Sequence, residues 1–246
     1  MRKILITCRS HPAEGAWWDL YLLTSERMRR YAALHGYEYR DVFYDDFDRA
    51  EWPGLFSGRL PVWPFNPQMT SPCWMKIPAI NVAFRDHDVV VYLDNDVSVL
   101  DFDRDILDDL PDGKVIGMPN STTPEGTGPN IGIVVTRRSE DAMRFWRAVW
   151  DIDAWKTAKW TDNGQVMALL GYSTSPPLVH LGDTEYTPVS QVLGQEWVGF
   201  GGGAAPGELL PSWRVFHAAW GRDGQWKLDV SRSAIAQREG EKKNGT

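Results

Sequence analysis

The chain has 246 residues, within the range of one α/β domain and long enough to bury a substantial core. Its net charge of -7 and pI near 5.3 disfavour unspecific binding to nucleic acid or to an anionic membrane surface, without excluding a local basic groove. Two cysteines, Cys8 and Cys73, match no zinc spacing, and no apolar run approaches the roughly 18 residues of a membrane span. Free thiols, a reducing compartment and a soluble cytoplasmic protein are therefore expected. The strand-like start also leaves no room for a signal peptide.

Lys3 to Thr7 reads as a first parallel strand, with Cys8 and Arg9 at its carboxyl end, where ligands gather in open α/β sheets. Trp17 to His35 carries apolar residues at helical spacing, Gly36 supplies a stop, and Tyr37 to Tyr44 reads as a second strand. Residues 45 to 72 are too rich in Pro and Gly for a long regular element. They read as a loop packed by its own aromatics, Trp52, Phe56, Trp63 and Phe65, with a sugar platform as the alternative role. Ser71 and Pro72 then open a helix carrying Trp74, Lys76, Ile77, Ile80 and Phe84, with Pro78 expected to kink it.

Val89 to Leu93 is an unbroken β-favouring run, the mark of a strand buried on both faces, and it ends in Asp94, Asn95 and Asp96. Period-two geometry turns the two carboxylates the same way and Asn95 away from them. Carboxylates so placed repel, and a hard divalent cation, manganese or magnesium, would offset the repulsion while leaving positions open for phosphate. The plain alternative is a turn after a strand.

Further on, the six aspartates between Asp101 and Asp112 read as a solvated, acid-rich short helix, because the Gly and terminal Glu of a calcium loop are missing. Val115 to Met118 reads as a strand, Asn120 to Pro129 as a turn-rich loop over the site, and Ile131 to Thr136 as another strand opened by Asn130. Ser139 caps a helix whose expected buried stripe is Met143, Trp146, Val149 and Trp150. Asp162 to Leu170 reads as a short helix stopped by Gly171, and Asp162 and Gln165 stand at capping-box spacing. Leu178 to Leu181 and Thr187 to Leu193 read as strands, the glycine-dense 197–211 stretch as a lid or a linker, and Arg214 to His217 as a short strand. A third metal ligand is wanted, and imidazole suits manganese better than magnesium, with His217 and His180 as the candidates. From Ser231 onward the chain is polar and reads as a frayed tail, giving a domain over 1–230 and a tail over 231–246.

The ordered landmarks Trp74 to Ile80, Val91 to Asp96, Asn130 to Arg137, Asp162 to Gln165 and Phe216 to Trp220 resemble those of GT-A glycosyltransferases. The likeness is nearest to the galactosyltransferase family that includes xyloglucan xylosyltransferases and Golgi mannosyltransferases. It implies a single Rossmann-like domain with a mixed, mainly parallel sheet flanked by helices. It further implies a metal-dependent enzyme that moves a sugar from a nucleotide-diphosphate sugar, a UDP-sugar before a GDP-sugar, to a glycan or other hydroxyl-bearing acceptor with retention. A modified nucleic-acid base is not excluded as acceptor. By this resemblance Asp94, Asp96 and His217 hold the metal. Thr7, Cys8, Arg9, Lys76, Asp94, Asn95, Asn130 and Gly132 line the donor, and Asp162 and Gln165 face the reacting carbon and the acceptor. The basic residue expected after the histidine is either Arg222 or Lys227. A nucleotidyltransferase would instead carry a glycine-rich loop after the first strand, and residues 8 to 15 hold only Gly15. A carbohydrate-binding domain without turnover is the third reading.

Overall fold

In a computed structural model, residues 1–9, 14–43, 46–47, 51–52, 62–63, 66–70, 72–123, 125–151, 161–200, 212–218 and 223–243 are described. Most of the aromatic loop, the Ser71 cap, the glycine-dense segment over 201–211 and Arg222 lie outside them.

The first strand, β1 (Lys3–Arg9), runs two residues further than the apolar pattern suggests. Helix α1 (Gly15–His35) ends where Gly36 takes the left-handed conformation and its N–H reaches the Ala32 carbonyl. Strand β2 (Glu38–Phe43) returns parallel to β1. A short hairpin, β3 (Val62–Trp63) and β4 (Asn66–Thr70), interrupts the region expected to be irregular. A 3-10 turn (Pro72–Met75) leads into α2 (Lys76–Ala83). Pro78 falls in the first turn of α2, directly after the 3-10 turn, and the helix continues through it to Ala83.

Strand β5 (Val89–Leu93) is buried throughout and is followed closely by β6 (Val97–Val99). In the acid-rich stretch only Ile106–Asp109 is helical, as a 3-10 turn. Asp105 is not solvated as expected but buried, accepting from Tyr37 Oη at 2.7 Å and Lys3 Nζ at 3.0 Å. The expected loop over 120–129 is instead a hairpin, β7 (Ile116–Thr123) and β8 (Gly126–Pro129), because its Ser and Thr pair across strands and Gly126 takes the turn. Next come β9 (Ile133–Arg137), α3 (Glu140–Asp151) and α4 (Thr161–Leu169). Ser139 Oγ accepts from the Ala142 N–H at 3.0 Å, as a cap should. Trp146, Val149 and Trp150 are buried, but Met143 is 38 % exposed and falls outside the stripe. Residues 178–181 make only isolated bridges, and β10 is confined to Ser190–Leu193.

The last strands are β11 (Gly199–Phe200) and β12 (Val215–His217). The expected frayed tail is in fact the body of a helix, α5 (Gly224–Lys243). Leu228, Ser231, Ile235 and Arg238 recur at helical spacing on its buried side, and the charged residues that suggested fraying mostly cover its other face.

The large sheet is mixed, in the order β10-β7-β9-β5-β1-β2 with β8 on β7. Pairs β1–β2, β1–β5 and β10–β7 are parallel, and β9 runs antiparallel to β5 and β7. Side chains sort by parity: Ile4, Ile6, Cys8, Val90 and Tyr92 join one core with α2 and α3, while Leu5, Val89, Val91 and Leu93 join a second with α1. Trp52 belongs to the first core, edge-on to Trp150 at 5.2 Å, so it is packing rather than a sugar platform; Phe56, Trp63 and Phe65 are outside the described side chains. Among the described residues no helix is long and apolar enough to cross a membrane.

Candidate functional site

Three chain segments converge at the carboxyl end of β5. The Asp94 N–H donates to the Gly132 carbonyl at 2.8 Å, because β9 is antiparallel and begins where β5 ends. Strand β12 pairs antiparallel with β6, which sets His217 opposite Val97, and the Ala218 N–H donates to the Asp96 carbonyl at 3.1 Å. The turn between β5 and β6 is thus fixed from both sides. On its outer side, Thr24 Oγ1 of α1 donates to the Asn95 carbonyl at 2.7 Å.

Each carboxylate divides its oxygens in the same way. Asp94 Oδ1 accepts from Tyr92 Oη at 2.8 Å and lies 3.2 Å from Lys76 Nζ, while Oδ2 lies 3.8 Å from His217 Nε2. Asp96 Oδ2 lies 2.5 Å from Lys227 Nζ, while Oδ1 lies 3.1 Å from His217 Nε2. Each acid therefore has a lysine on one oxygen and turns the other toward the imidazole. Burial pushes the Asp96 carboxyl up, but the neighbouring Lys227 and His217 outweigh it and hold it well below the usual carboxylate range.

Asp94, Asp96 and His217 offer ligand atoms that all lie within 4.8 Å of one another. The chemistry of that donor set, two carboxylate oxygens and one imidazole nitrogen, fits a hard or borderline divalent ion. Gly132 keeps the space open. A Cβ there would fall 2.8 Å from Asp94 Oδ2 and nearer still to the His217 ring. Asn130 holds this loop by accepting from the Gly132 N–H at 2.9 Å, and Asn163 Oδ1 accepts from the Ile131 N–H at 3.1 Å.

Lys76 is not a surface lysine. Its side chain is 3 % exposed and its ammonium lies between Asp94 Oδ1 and Asp162 Oδ2, at 3.2 and 3.0 Å, while donating to the Ile131 carbonyl at 3.1 Å. Asp162 is the second residue of α4, and its Oδ2 lies 3.0 Å from this lysine. Gln165, one turn on, is fully buried. Thr7 and Cys8 are buried at the end of β1; burial above all, with the charge of Asp94 adding, pushes the Cys8 thiol up. The Arg9 guanidinium is stacked among Phe43, Trp18 and Tyr21 at 3.9, 4.7 and 5.3 Å. His180 stands apart, paired with Asp183 and packed on Tyr172.

One participant was not singled out from the sequence: Tyr92, which shares the face of Asp94 by period two, a signal that was available. Of the two basic residues the resemblance left open, Lys227 lies on Asp96 and Arg222 is outside the described residues.

No family model and no curated protein sequence matches the chain. Solved structures do. A glycosyltransferase involved in the glycosylation of the major capsid of PBCV-1 superposes with a TM-score of 0.58 at 14 % identity, over 94 % of this chain and 99 % of that one. The apo form of the glycosyltransferase GlyE from Streptococcus pneumoniae TIGR4 gives 0.52 at 13 % identity, over 98 % of this chain and 64 % of that one. The bifunctional glycosyltransferase WbbM gives 0.51 at 14 % identity over 98 % of this chain, which spans 51 % of that protein. The class that sheet and site define is an α/β domain with two carboxylates and an imidazole gathered at the end of its central strand. Its fold is GT-A, as the sequence resemblance implied.

Proposed function

We propose that the protein is a metal-dependent glycosyltransferase acting on a nucleotide-diphosphate sugar, a UDP-sugar by preference. The observation that carries this reading is the shared division of the two carboxylates, each with one oxygen on a lysine and one facing His217. Asp94, Asp96 and His217 would hold manganese or magnesium. When bound, such an ion stabilises the charge that develops on a departing diphosphate.

The chain's own residues do the rest. Lys76, held by Asp94 and Asp162, fixes the orientation of the first acid and keeps α2, α4 and the β9 loop in register. Gly132 admits the donor close to the backbone, and Asn130 sets the loop that carries it. Thr7, Cys8 and Arg9, at the end of β1, line the nucleotide side together with Asn95. Asp162 and Gln165 border the reacting carbon and the acceptor. Retention follows from the sequence resemblance, and the departing phosphate oxygen then takes the acceptor's proton, so no carboxylate is assigned as nucleophile.

The test is a thermal-shift panel of nucleoside diphosphates with and without manganese, followed by donor hydrolysis assays on nucleotide sugars, since a ligand of the native state raises its melting temperature. The reading requires stabilisation by at least one nucleotide that depends on the metal. Failure of every nucleotide and nucleotide sugar to bind or react would remove it.

A further inference from the structure

We propose that the cavity between β2 and α2 is a ligand site for a free α-amino acid with an apolar side chain. The cavity encloses about 310 Å³, at the small end of the range of roughly 300–1,000 Å³ found for ligand pockets. None of its described lining residues belongs to the Asp94, Asp96 and His217 cluster. It lies behind that cluster, since Ile6 precedes Thr7 on β1 and Ala79 stands one turn after Lys76 on α2. Small residues create the space. Ala79 and Ala83, one turn apart on α2, line it where larger side chains would meet Ile6 and Val42, and Phe47 completes an apolar floor. Apolar walls that face a cavity forfeit dispersion contacts, and an apolar guest restores them.

The rim supplies the charges. Glu38, Arg40 and Val42 share one face of β2 by period two, so Arg40 follows Val42 onto the cavity and, half exposed, stands at its mouth. Its guanidinium is held from outside, with Nη2 donating to Glu38 Oε1 at 2.8 Å. Glu38 Oε2 in turn lies 3.0 Å from Nε2 of the buried His87, whose Nδ1 is 3.1 Å from the Ala83 carbonyl at the end of α2. The other N–H groups of Arg40 have no acceptor among the described residues. Asp46 Oδ2 accepts from the Phe43 N–H at 2.7 Å, which leaves Oδ1 without a partner among the described residues. A guest with a single charge is drawn by one rim residue and repelled by the other. A zwitterion satisfies both, its carboxylate on the guanidinium fork and its ammonium on Asp46. An α-amino acid carries both charged groups and a side chain on one carbon, the arrangement that two rim charges over one apolar floor require.

The experiment titrates L-leucine into the full, isotope-labelled chain and follows backbone amide shifts, beside glycine, isocaproate and isoamylamine. The proteins are the wild type, Arg40→Gln and Asp46→Asn, whose rim positions leave the fold intact by circular dichroism. Leucine should shift the amides of Val42, Ala79 and Ala83 and leave those of Gly132 and His217 in place, equally with and without EDTA. Glycine, isocaproate and isoamylamine each lack one of the three recognised parts. Each should bind about tenfold or more weakly than leucine, the scale of one charge-assisted hydrogen bond or one apolar side chain. In Arg40→Gln leucine should weaken to the level of isoamylamine, and in Asp46→Asn to that of isocaproate. No shift at any soluble leucine concentration, shifts centred on Gly132, single-charge analogues as tight as leucine, or unchanged leucine affinity in both variants would each overturn the proposal. The EDTA arm keeps the outcome independent of whether the Asp94 cluster holds a metal.

Discussion

Lys76→Met removes an ammonium that separates two acids in a nearly closed space. Asp162 is 4 % exposed at its side chain and Asp94 is 26 % exposed, at 3.0 and 3.2 Å from the lysine, so water can replace the lost partner at Asp94 far more readily than at Asp162. Breaking a buried pair from one side costs about 3–5 kcal/mol because a charge is left uncompensated. For a chain of this size each kcal/mol lowers the melting temperature by about 2–4 °C, so a fall of roughly 6–20 °C is expected. Asp162→Asn alone leaves Lys76 with Asp94 and the Ile131 carbonyl, and should cost only about 1–2 kcal/mol. The double variant Lys76→Met, Asp162→Asn holds neither the ammonium nor the more buried charge. It should therefore be more stable than the sum of the single costs implies, by about 1–3 kcal/mol. Urea unfolding of all four proteins, followed by circular dichroism, gives the cycle. A cost below about 1 kcal/mol for Lys76→Met, with additivity within about 0.5 kcal/mol, would refute the view that this lysine binds α2 to α4 through charge.

Gly132→Ala should abolish manganese-dependent nucleotide binding in calorimetry while costing about 1–3 kcal/mol of stability, since the methyl group meets His217 and Asp94; retained binding would mean that the pocket lies elsewhere. Burial and the neighbouring Asp105 push the phenols of Tyr31 and Tyr37 well above their ordinary range, so these groups hold protons more tightly when folded. Their stabilisation is complete below the unfolded value near about 10 and is lost as pH rises, by about 1.4 kcal/mol per pH unit for each. Urea midpoints from about pH 9 to 11.5 should fall in the wild type and fall less in Tyr37→Phe, and a flat profile would contradict this. Cys8, buried and with its thiol pushed up, should be alkylated at least about a hundredfold more slowly in the native protein than in denaturant, as read by peptide mass spectrometry. Equal rates would place it at the surface.

The central strand was legible because Val89 to Leu93 is apolar on both faces, but Asn95 and Asp96 form a turn, closed by the Val97 N–H on the Asp94 carbonyl at 2.9 Å, so the two acids come together through that turn and not through the period-two geometry expected of extended backbone. The helices α1 and α3 announced themselves through Gly36 and Ser139. What stayed hidden depended on partners far away in sequence. Lys76 reads like any helical lysine until α4 brings Asp162 to it. Helix α5 carries Ser231, Arg238 and Lys227 at positions it buries, so its stripe is masked by polar residues whose partners are Asp96 and the Trp213 carbonyl. The β7–β8 hairpin was read as a loop because Ser, Thr, Gly and Pro dominate it, although its Ser and Thr suit a strand once a neighbour is present.

Calorimetric titration of UDP into the wild type and Asp96→Asn, each with Mn2+ and with EDTA, tests the site itself. The account predicts heat of binding only for the wild type with Mn2+, with Asp96→Asn folded but silent. Binding that is equal in EDTA, or that survives unchanged in Asp96→Asn, would contradict it.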